Sequence, residues 1–256
     1  MSLKFSDEVI NSLLDLAKDA GNTILDYYQT DMQVRKKADQ SLVTEADEKA
    51  EEIILHGLTK LTPYIPVIGE EAYSAGKRHD ISKGVFWLVD ALDGTKEFVN
   101  QRDEFTVNIA LIEAGIAIFG IIHAPALAKT FWGGAFGAYS KNRKNQIKKI
   151  VTRTAPKDGI TVVSSRSNRG GESNFLTKYN VKTTVKLGSS LKICLIAAGE
   201  ADLYIRMGPT SEWDIAAGHA ILTAAGGSIT QIDGAPLQYG KDTILNPSFV
   251  AHGLPN

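Results

Sequence analysis

The order of hydrophobic spacings along the chain is the feature that most restricts its fold. Apolar residues recur at every third or fourth position over residues 6–29 and again over residues 44–61, which predicts two amphipathic helices. Residues 65–140 contain apolar runs separated by turn residues, the pattern of consecutive strands. From residue 160 onwards, strand-like and helix-like segments alternate. The sequence therefore predicts an α/β (α+β) protein in which helices are layered against two sheets.

A chain of 256 residues is long enough for one large domain or for two closely packed halves. The basic stretch at residues 141–153 lacks periodicity, and we interpret it as a connection between halves. This divides the chain into an N-terminal α+β half, residues 1–150, and a C-terminal α/β half, residues 151–256. The polar residues 34–43 predict a hairpin or a loop between the first two helices.

Composition excludes several classes of function. The formal net charge is −1, so the chain has no general positive field and is not expected to bind nucleic acid. The single cysteine, Cys194, lies in the apolar pattern LKICLIAAG and is interpreted as a buried structural thiol. No histidine pair has the spacing of a metal site. No apolar run has the length of a transmembrane segment, and no signal peptide is recognisable, which predicts a cytoplasmic protein.

Acidic residues collect where apolar elements end or where helices begin. The positions are Asp47 in the first turn of the second helix, Glu70-Glu71 after IPVIG, Asp90 and Asp93 after GVFWLV, and Asp214 in SEWDIAAG. Taken singly, most have an ordinary structural explanation as caps, turn residues or partners of a helix dipole. For Asp90 the structural and functional explanations are about even, because an acid at a buried strand end needs a partner.

The stretch VDALDGT, residues 89–95, gives the sharpest functional signal. Gly94 permits a tight turn, and Thr95 would begin a helix whose first amides favour an anion. Carboxylates beside such a site would repel a phosphate unless cations lie between them. All of these candidate ligands are hard oxygens, which favours Mg²⁺ over Zn²⁺.

The segments that carry these acids resemble the signatures of the inositol monophosphatase superfamily, and the similarity extends over nearly the whole chain. The matching motifs are Glu70-Glu71, DALDGT and WDIAAG. The segments KADQSLVTEAD, GSSLKICLIAAGEADLY and RMGPTSEWDIAAGHAI are similar to the bacterial 3'(2'),5'-bisphosphate nucleotidases of that superfamily. The resemblance implies the sugar-phosphatase fold, a layered αβαβα sandwich, and Mg²⁺-dependent, lithium-sensitive phosphatase activity. The narrower similarity implies removal of the 3'-phosphate from 3'-phosphoadenosine 5'-phosphate, a by-product of sulfate assimilation.

The resemblance also implies a role for each matching residue. Two Mg²⁺ ions would be held by Glu70, Asp90, Asp93, Asp214 and the carbonyl of Leu92, with Asp90 bridging the ions. A third, weaker ion, known in relatives, would use Glu70 again. Thr95, hydrogen-bonded to Asp47, would help to take a proton from the attacking water.

Substrate contacts follow from the same resemblance. The amides of Gly94 and Thr95 would hold the scissile phosphate, close to Leu92, Asp93 and Asp214. The nucleotide would be contacted by Ser167, Gly188, Ser189 and Lys192. Apart from the resemblance, Arg206 lies just before the segment that contains Asp214, and this position makes it a further candidate to face an anion. Two departures from the family pattern are Ala91, where proline is usual, and Asn168, where the nucleotidases often have histidine.

Two alternatives stay open at this point. The first is an inositol monophosphatase or a broader sugar phosphatase. The second is a catalytically dead metal-binding or ligand-binding module, which is disfavoured because the acids and Thr95 are all present together. The expected partner is a phosphorylated nucleotide. Relatives include monomers and homodimers, and some bacterial relatives attach peripherally to the inner membrane.

Overall fold

The structure, a computed structural model, describes residues 5–30, 34–36, 42–166 and 172–253. The helices are α1 (Asp7–Tyr27), α2 (Glu45–Leu61), α3 (Glu70–Ser74), α4 (Thr95–Val99), α5 (Glu172–Leu176), α6 (Leu191–Ala197) and α7 (Glu212–Ala224). The strands of the N-terminal part are β1 (Val34–Lys36), β2 (Leu42–Thr44), β3 (Val67–Gly69), β4 (Val85–Asp93), β5 (Thr106–Glu113), β6 (Ile116–Ala124), β7 (Lys129–Gly134), β8 (Gly137–Lys141) and β9 (Ile147–Ile150). Those of the C-terminal part are β10 (Ile160–Ser165), β11 (Val181–Leu187), β12 (Leu203–Arg206), β13 (Thr210–Ser211), β14 (Ser228–Gln231), β15 (Leu245–Asn246) and β16 (Phe249–His252).

Helices α1 and α2 form the first layer, and both predicted helices are confirmed. The Ser6 hydroxyl caps α1 by accepting a hydrogen bond from the amide of Val9 at 3.3 Å. Leu13, Ala17 and Ile24 are fully buried at helical spacing, so one stripe of α1 faces the protein interior. The helices cover one face of a seven-stranded sheet of order β3-β4-β5-β6-β7-β8-β9, which is antiparallel except at β3–β4.

A second, five-stranded sheet has the order β11-β10-β12-β16-β14. Strand β10 runs parallel to β11 and β12, whereas β16 is antiparallel to both of its neighbours. Helices α6 and α7 fill the space between the two sheets, which explains why α7 is apolar on nearly every side. Helix α5 packs on the outer face of the second sheet. The layers therefore follow the order αβαβα, which confirms the predicted fold class.

Two segments differ from the sequence prediction. The predicted connection at residues 141–153 is partly wrong, because Ile147–Ile150 forms the edge strand β9. Its exposed lysines hid the strand pattern, and charged side chains on an edge strand protect it from pairing with other molecules. Strand β16 was not anticipated, although it lies between β12 and β14 in the second sheet.

The predicted division of the chain at residue 150 stays a prediction, although the last strand of the seven-stranded sheet ends there. The polar residues after α1 do contain paired strands, since β1 and β2 are antiparallel. Of the helices in the described part of the chain, none has both the length and the apolar character that crossing a bilayer requires.

Candidate active site

Three carboxylates from separate elements converge at one edge of the seven-stranded sheet. Glu70 is the first residue of α3, Asp90 lies near the end of β4, and Asp214 lies in the first turn of α7. One carboxylate oxygen from each of these residues lies within 4.8 Å of the others. Such a set of hard oxygen donors is suited to a divalent cation of the Mg²⁺ or Ca²⁺ type.

A β-bulge brings Asp90 and Asp93 toward the same site. In a regular strand, residues three apart point to opposite faces of the sheet. Asp90 pairs with Asn108 and Asp93 pairs with Thr106, so β4 has one more residue than β5 over this interval. The amide of Leu92 then turns back and donates to Oδ1 of Asp90 at 3.0 Å. The bulge places both acids and the Leu92 carbonyl close to the start of α4.

The electrostatics of the cluster favour a bound cation. Burial raises the pKa of Asp90 well above its ordinary value, and the nearby Glu70 and Asp93 raise it further. Burial and the charges of Asp93 and Glu70 raise the pKa of Asp214 in the same way. Like charges in a buried site destabilise one another unless a proton or a cation lies between them. The residues present therefore fit a divalent metal.

Asp47 and Thr95 are joined as the resemblance implied. Oδ2 of Asp47 accepts hydrogen bonds from the Thr44 amide at 2.8 Å and from the Thr44 hydroxyl at 2.6 Å. Oδ1 of Asp47 is 3.2 Å from the Thr95 hydroxyl, which also lies 3.3 Å from the Leu92 carbonyl. Burial raises the pKa of Asp47 to about 6, against the lowering effect of these hydrogen bonds. An acid with this pKa is well matched to proton transfer near neutral pH.

A hydrogen-bonded network around Asp93 was missed by sequence reasoning. The Ser190 amide donates to Oδ2 of Asp93 at 2.6 Å, and the Asn108 side chain donates to the same oxygen at 3.4 Å. The Ser190 hydroxyl donates to Oδ1 of Asn108 at 2.8 Å and lies 2.8 Å from the Thr106 hydroxyl. Asn108 was detectable in principle as a buried amide within the apolar run TVNIALIE.

A cavity of about 150 Å³ adjoins the carboxylates and contains the predicted nucleotide contacts that the structure describes. Its lining includes Asp93, Gly94, Gly188, Ser189, Lys192, Arg206 and Asp214. Ser167 and Asn168 lie outside the described residues. A larger cavity of about 450 Å³ beside Arg153 and Tyr179 contains none of the predicted site residues, so size alone does not identify the active site.

Two cationic side chains line the small cavity. Lys192 is buried, and its ammonium donates to the carbonyl of Ser189 and lies 5.4 Å from the centre of the Tyr204 ring. Burial lowers the pKa of Lys192, whereas the charge of Asp93 raises it. Nε of Arg206 is buried and has no hydrogen-bond acceptor among the described residues, while another nitrogen of the same guanidinium donates to the Pro209 carbonyl at 3.1 Å.

The single cysteine, Cys194, lies in the protein interior, as the sequence predicts. Cys194 is fully buried, and burial raises the pKa of its thiol, so the interpretation as a structural residue is confirmed.

The amide of Gly188 donates to Glu104 at 2.8 Å, and Glu104 in turn pairs with Arg166. The hydrogen bond between Gly188 and Glu104 holds the loop that precedes α6 against the segment before β5.

Comparison with known proteins gives a consistent result. The inositol monophosphatase family matches residues 6–254 of the chain. The 3'(2'),5'-bisphosphate nucleotidase CysQ of Salmonella typhimurium is 43% identical over 245 residues, which cover 94% of this chain and 98% of the relative. The CysQ of Escherichia coli K12 is 41% identical over the same share of each chain.

Solved structures give the same grouping. CysQ from Bacteroides thetaiotaomicron superposes with a TM-score of 0.82 at 33% identity and covers 98% of this chain and 99% of its own. An IMPase from Thermotoga maritima superposes with a TM-score of 0.80 at 24% identity, covering 96% of this chain and 92% of its own. The second comparison supports the fold alone.

Proposed function

The chain belongs to the inositol monophosphatase family, and within this family we propose that it is a Mg²⁺-dependent 3'(2'),5'-bisphosphate nucleotidase. Its substrate would be 3'-phosphoadenosine 5'-phosphate, and its products would be AMP and inorganic phosphate. The curated relatives with 41–43% identity over 94% of the chain are named for this activity.

The observation that carries the substrate assignment is the buried Nε donor of Arg206, which lacks an acceptor among the described residues. A buried donor without an acceptor costs about 1–3 kcal/mol, and more when the group is charged. Arg206 lines the same cavity as Lys192 and the carboxylate Asp214. A second phosphate in this cavity would place an anion beside both cations, Lys192 and Arg206. Inositol 1-phosphate has only one phosphate, so it would bring no second anionic group to these cations.

The metal would be Mg²⁺, held by Glu70, Asp90 and Asp214, with Asp93 and the Leu92 carbonyl as further ligands. The proximity of the first three carboxylates and the raised pKa values of Asp90 and Asp214 support this assignment. The chemistry that Mg²⁺ supplies in such a site is activation of water and neutralisation of phosphoryl charge.

Asp47 and Thr95 would orient the attacking water and take its proton. When the Thr95 hydroxyl donates to Oδ1 of Asp47, its lone pairs are left to accept a hydrogen bond from water. Thr44 holds the other oxygen of Asp47, so the carboxylate has one orientation. Proton density then passes through the Thr95 oxygen toward Asp47, whose pKa of about 6 suits this role.

The phosphate would be held at the start of α4, where the first amides have no partner within the helix. Gly94 has a φ of 92°, a backbone conformation that favours glycine, and it directs the chain into α4. Water would attack phosphorus in line with the leaving 3'-oxygen. The new phosphorus–oxygen bond would replace the bond to the ribose. The leaving 3'-oxygen would take a proton from solvent to become the 3'-hydroxyl, and Asp47 would return to solvent the proton that it took from the attacking water.

Phosphate release in the presence of Mg²⁺ tests the proposal. The substrates to compare at matched low concentration are 3'-phosphoadenosine 5'-phosphate, adenosine 3'-phosphate, inositol 1-phosphate and 5'-AMP. We expect the bisphosphate to be preferred, because among these four compounds only it has both a 3'-phosphate to be hydrolysed and a 5'-phosphate that can meet Lys192 and Arg206. Preference for inositol 1-phosphate would overturn the substrate assignment, and absence of turnover with all four would overturn the phosphatase assignment.

A further inference from the structure

Glu51 is a buried acid of α2 that contacts the segment carrying Glu70. Its side chain is 3% exposed, and its two carboxylate oxygens accept hydrogen bonds from the amides of Glu71 and Ala72, each at 2.8 Å. These amides belong to the first turn of α3, where the backbone donors have no acceptor within the helix. Glu51 therefore caps α3 from a different helix.

The local sequence provides space for this contact. Gly69 directly precedes Glu70, and a Cβ at Gly69 would lie 2.5 Å from the carboxylate carbon of Glu51. Real Cβ atoms do not approach other atoms so closely, so any larger residue would displace the carboxylate or the chain. Helix α3 has only five residues, and a helix of this length has little stability of its own. The backbone position of Glu70 therefore depends on contacts from outside α3.

Glu51 and Asp47 lie one turn apart on α2, and both are buried toward the site. We propose that Glu51 is a positioning residue, which holds the start of α3 so that Glu70 can bind the metal. One face of α2 thus carries both Asp47, the acid that is paired with Thr95, and Glu51, which positions the proposed metal ligand Glu70. The inference rests on the proposed function, since it assigns Glu51 a role toward the metal that Glu70 would hold.

A structural role alone would lower stability without changing metal affinity. Glu51→Gln keeps the size of the side chain but replaces one acceptor with an NH₂ group that faces a backbone donor. We expect Mg²⁺ affinity to fall by about 10-fold to 100-fold, the usual effect of changing a residue that orients a metal ligand. The loss of turnover should be partly restored by raising the Mg²⁺ concentration, because Glu70 itself is still present.

Asp202→Asn provides a matched control. Asp202 is also a buried acid that accepts a backbone hydrogen bond, from the amide of Thr161 at 2.7 Å, and it pairs with Arg153. It lines the larger cavity and lies outside the lining of the candidate site. We expect this change to lower the melting temperature while Mg²⁺ affinity stays at the wild-type value.

The experiment is calorimetric titration of Mg²⁺ into the metal-free wild type, Glu51→Gln and Asp202→Asn. A weakened affinity in Glu51→Gln alone supports the inference, whereas equal affinity in wild type and Glu51→Gln overturns it. If the wild type itself binds no Mg²⁺, the proposed function fails instead, so the two failures are distinguishable.

Two further measurements cover the case in which Glu51→Gln does not fold. Gly69→Ala retains every charge but displaces the Glu51 carboxylate, and it should also weaken Mg²⁺ binding. Hydrogen exchange of the metal-free wild type should find the amides of Glu71 and Ala72 protected, because Glu51 accepts from both. Exchange of these amides at the rate of exposed backbone would contradict the inference without the use of any variant.

Discussion

The backbone amide of Ser190 donates a 2.6 Å hydrogen bond to Oδ2 of Asp93. Asp93 ends β4 of the seven-stranded sheet, and Ser190 precedes α6, the helix that carries Lys192. The contact thus joins the acidic part of the site to the part that carries the buried cations. The position of the Asp93 carboxylate is therefore tied by this hydrogen bond to the residue that precedes α6.

Asp93→Asn should retain the fold and lose turnover. The asparagine oxygen can still accept from the Ser190 amide, so the main structural contact of Asp93 is kept. The charge that faces the metal is removed, and we expect kcat/KM to fall by about 100-fold or more, as for loss of one electrostatic group in a catalytic site. Phosphate release measures turnover, and far-ultraviolet circular dichroism shows whether the fold is retained. Turnover at the wild-type level would contradict the role of Asp93 as a metal ligand, whereas absence of turnover in the wild type itself would favour the non-catalytic binding module.

Asp47→Asn should impair the chemical step and leave metal binding largely unchanged. If the asparagine oxygen takes the place of Oδ2 beside Thr44, the amide nitrogen faces the Thr95 hydroxyl. That hydroxyl must then accept a hydrogen bond, and it can no longer pass proton density to an acid. We expect kcat to fall by about 100-fold to 10,000-fold, the range for loss of general base catalysis.

Thr95→Val serves as the partner variant of Asp47→Asn. If the two side chains act as one unit, the double variant should be little worse than either single variant. Additive losses would contradict the proposed pairing of Asp47 with Thr95. Calorimetric titration of Mg²⁺ into each variant supplies the control for metal binding.

The acids of the site were predictable because they end apolar elements or begin helices, positions that sequence periodicity locates. Their convergence was harder to obtain from the sequence. Asp90 and Asp93 are three residues apart, and a regular strand would place them on opposite faces. The bulge that reconciles them depends on pairing with Asn108 and Thr106 on another strand.

The contacts that the sequence does not predict join residues that are far apart in the chain. Glu51 and Ala72 are 21 residues apart, and Thr106 and Ser190 are 84 residues apart. Hydrophobic spacing indicates which face of a helix or strand is buried, but it does not indicate which polar group of another element contacts that face. Strand β16 was overlooked for a related reason: it is short and lies beside β12 only through a late return of the chain.

Asp214→Asn should increase the stability of the metal-free protein near neutral pH. Oδ2 of Asp214 accepts from the Ser211 amide at 2.8 Å, and an asparagine oxygen can keep this contact at the start of α7. The substitution removes one of the mutually repelling charges that raise the pKa of Asp90. We expect a higher melting temperature than wild type in chelator at pH 7.5, together with a smaller increase on addition of Mg²⁺. A lower melting temperature in chelator would contradict the repulsion argument.

Stabilisation by Mg²⁺ should increase with pH. In the metal-free folded protein, burial raises the pKa of Asp93 from its ordinary value of 3.8 to about 6. The folded state therefore binds more protons than the unfolded state between these values. The stability from these protons is complete below pH 3.8 and is lost as the pH rises through about 6. The pKa values of Asp90 and Asp214 are raised in the same direction.

A metal ion must displace those protons at low pH but binds ionised carboxylates at high pH. The increase in melting temperature at a fixed, saturating Mg²⁺ concentration should thus be larger at pH 7.5 than at pH 5. Differential scanning calorimetry with and without Mg²⁺ measures it. Titrations in two buffers of different ionisation enthalpy should reveal proton release on binding at pH 5 to 6. An increase independent of pH would contradict the raised pKa values.

Arg206→Ala should reduce the preference for a bisphosphate. The substitution removes the guanidinium whose Nε lacks an acceptor among the described residues, so the folded protein loses no hydrogen bond at that nitrogen. We expect KM for 3'-phosphoadenosine 5'-phosphate to rise by about 10-fold or more, since a charged hydrogen bond contributes about 1.5–3 kcal/mol. KM for adenosine 3'-phosphate should change little, because that substrate has no second phosphate.

Lys192→Met should likewise raise KM for the bisphosphate and change KM for adenosine 3'-phosphate little. Because Lys192 is buried, a melting curve of this variant is the necessary control. Equal losses for both substrates would mean that these cations act on the scissile phosphate or on folding, and the assignment of a second phosphate site would be wrong.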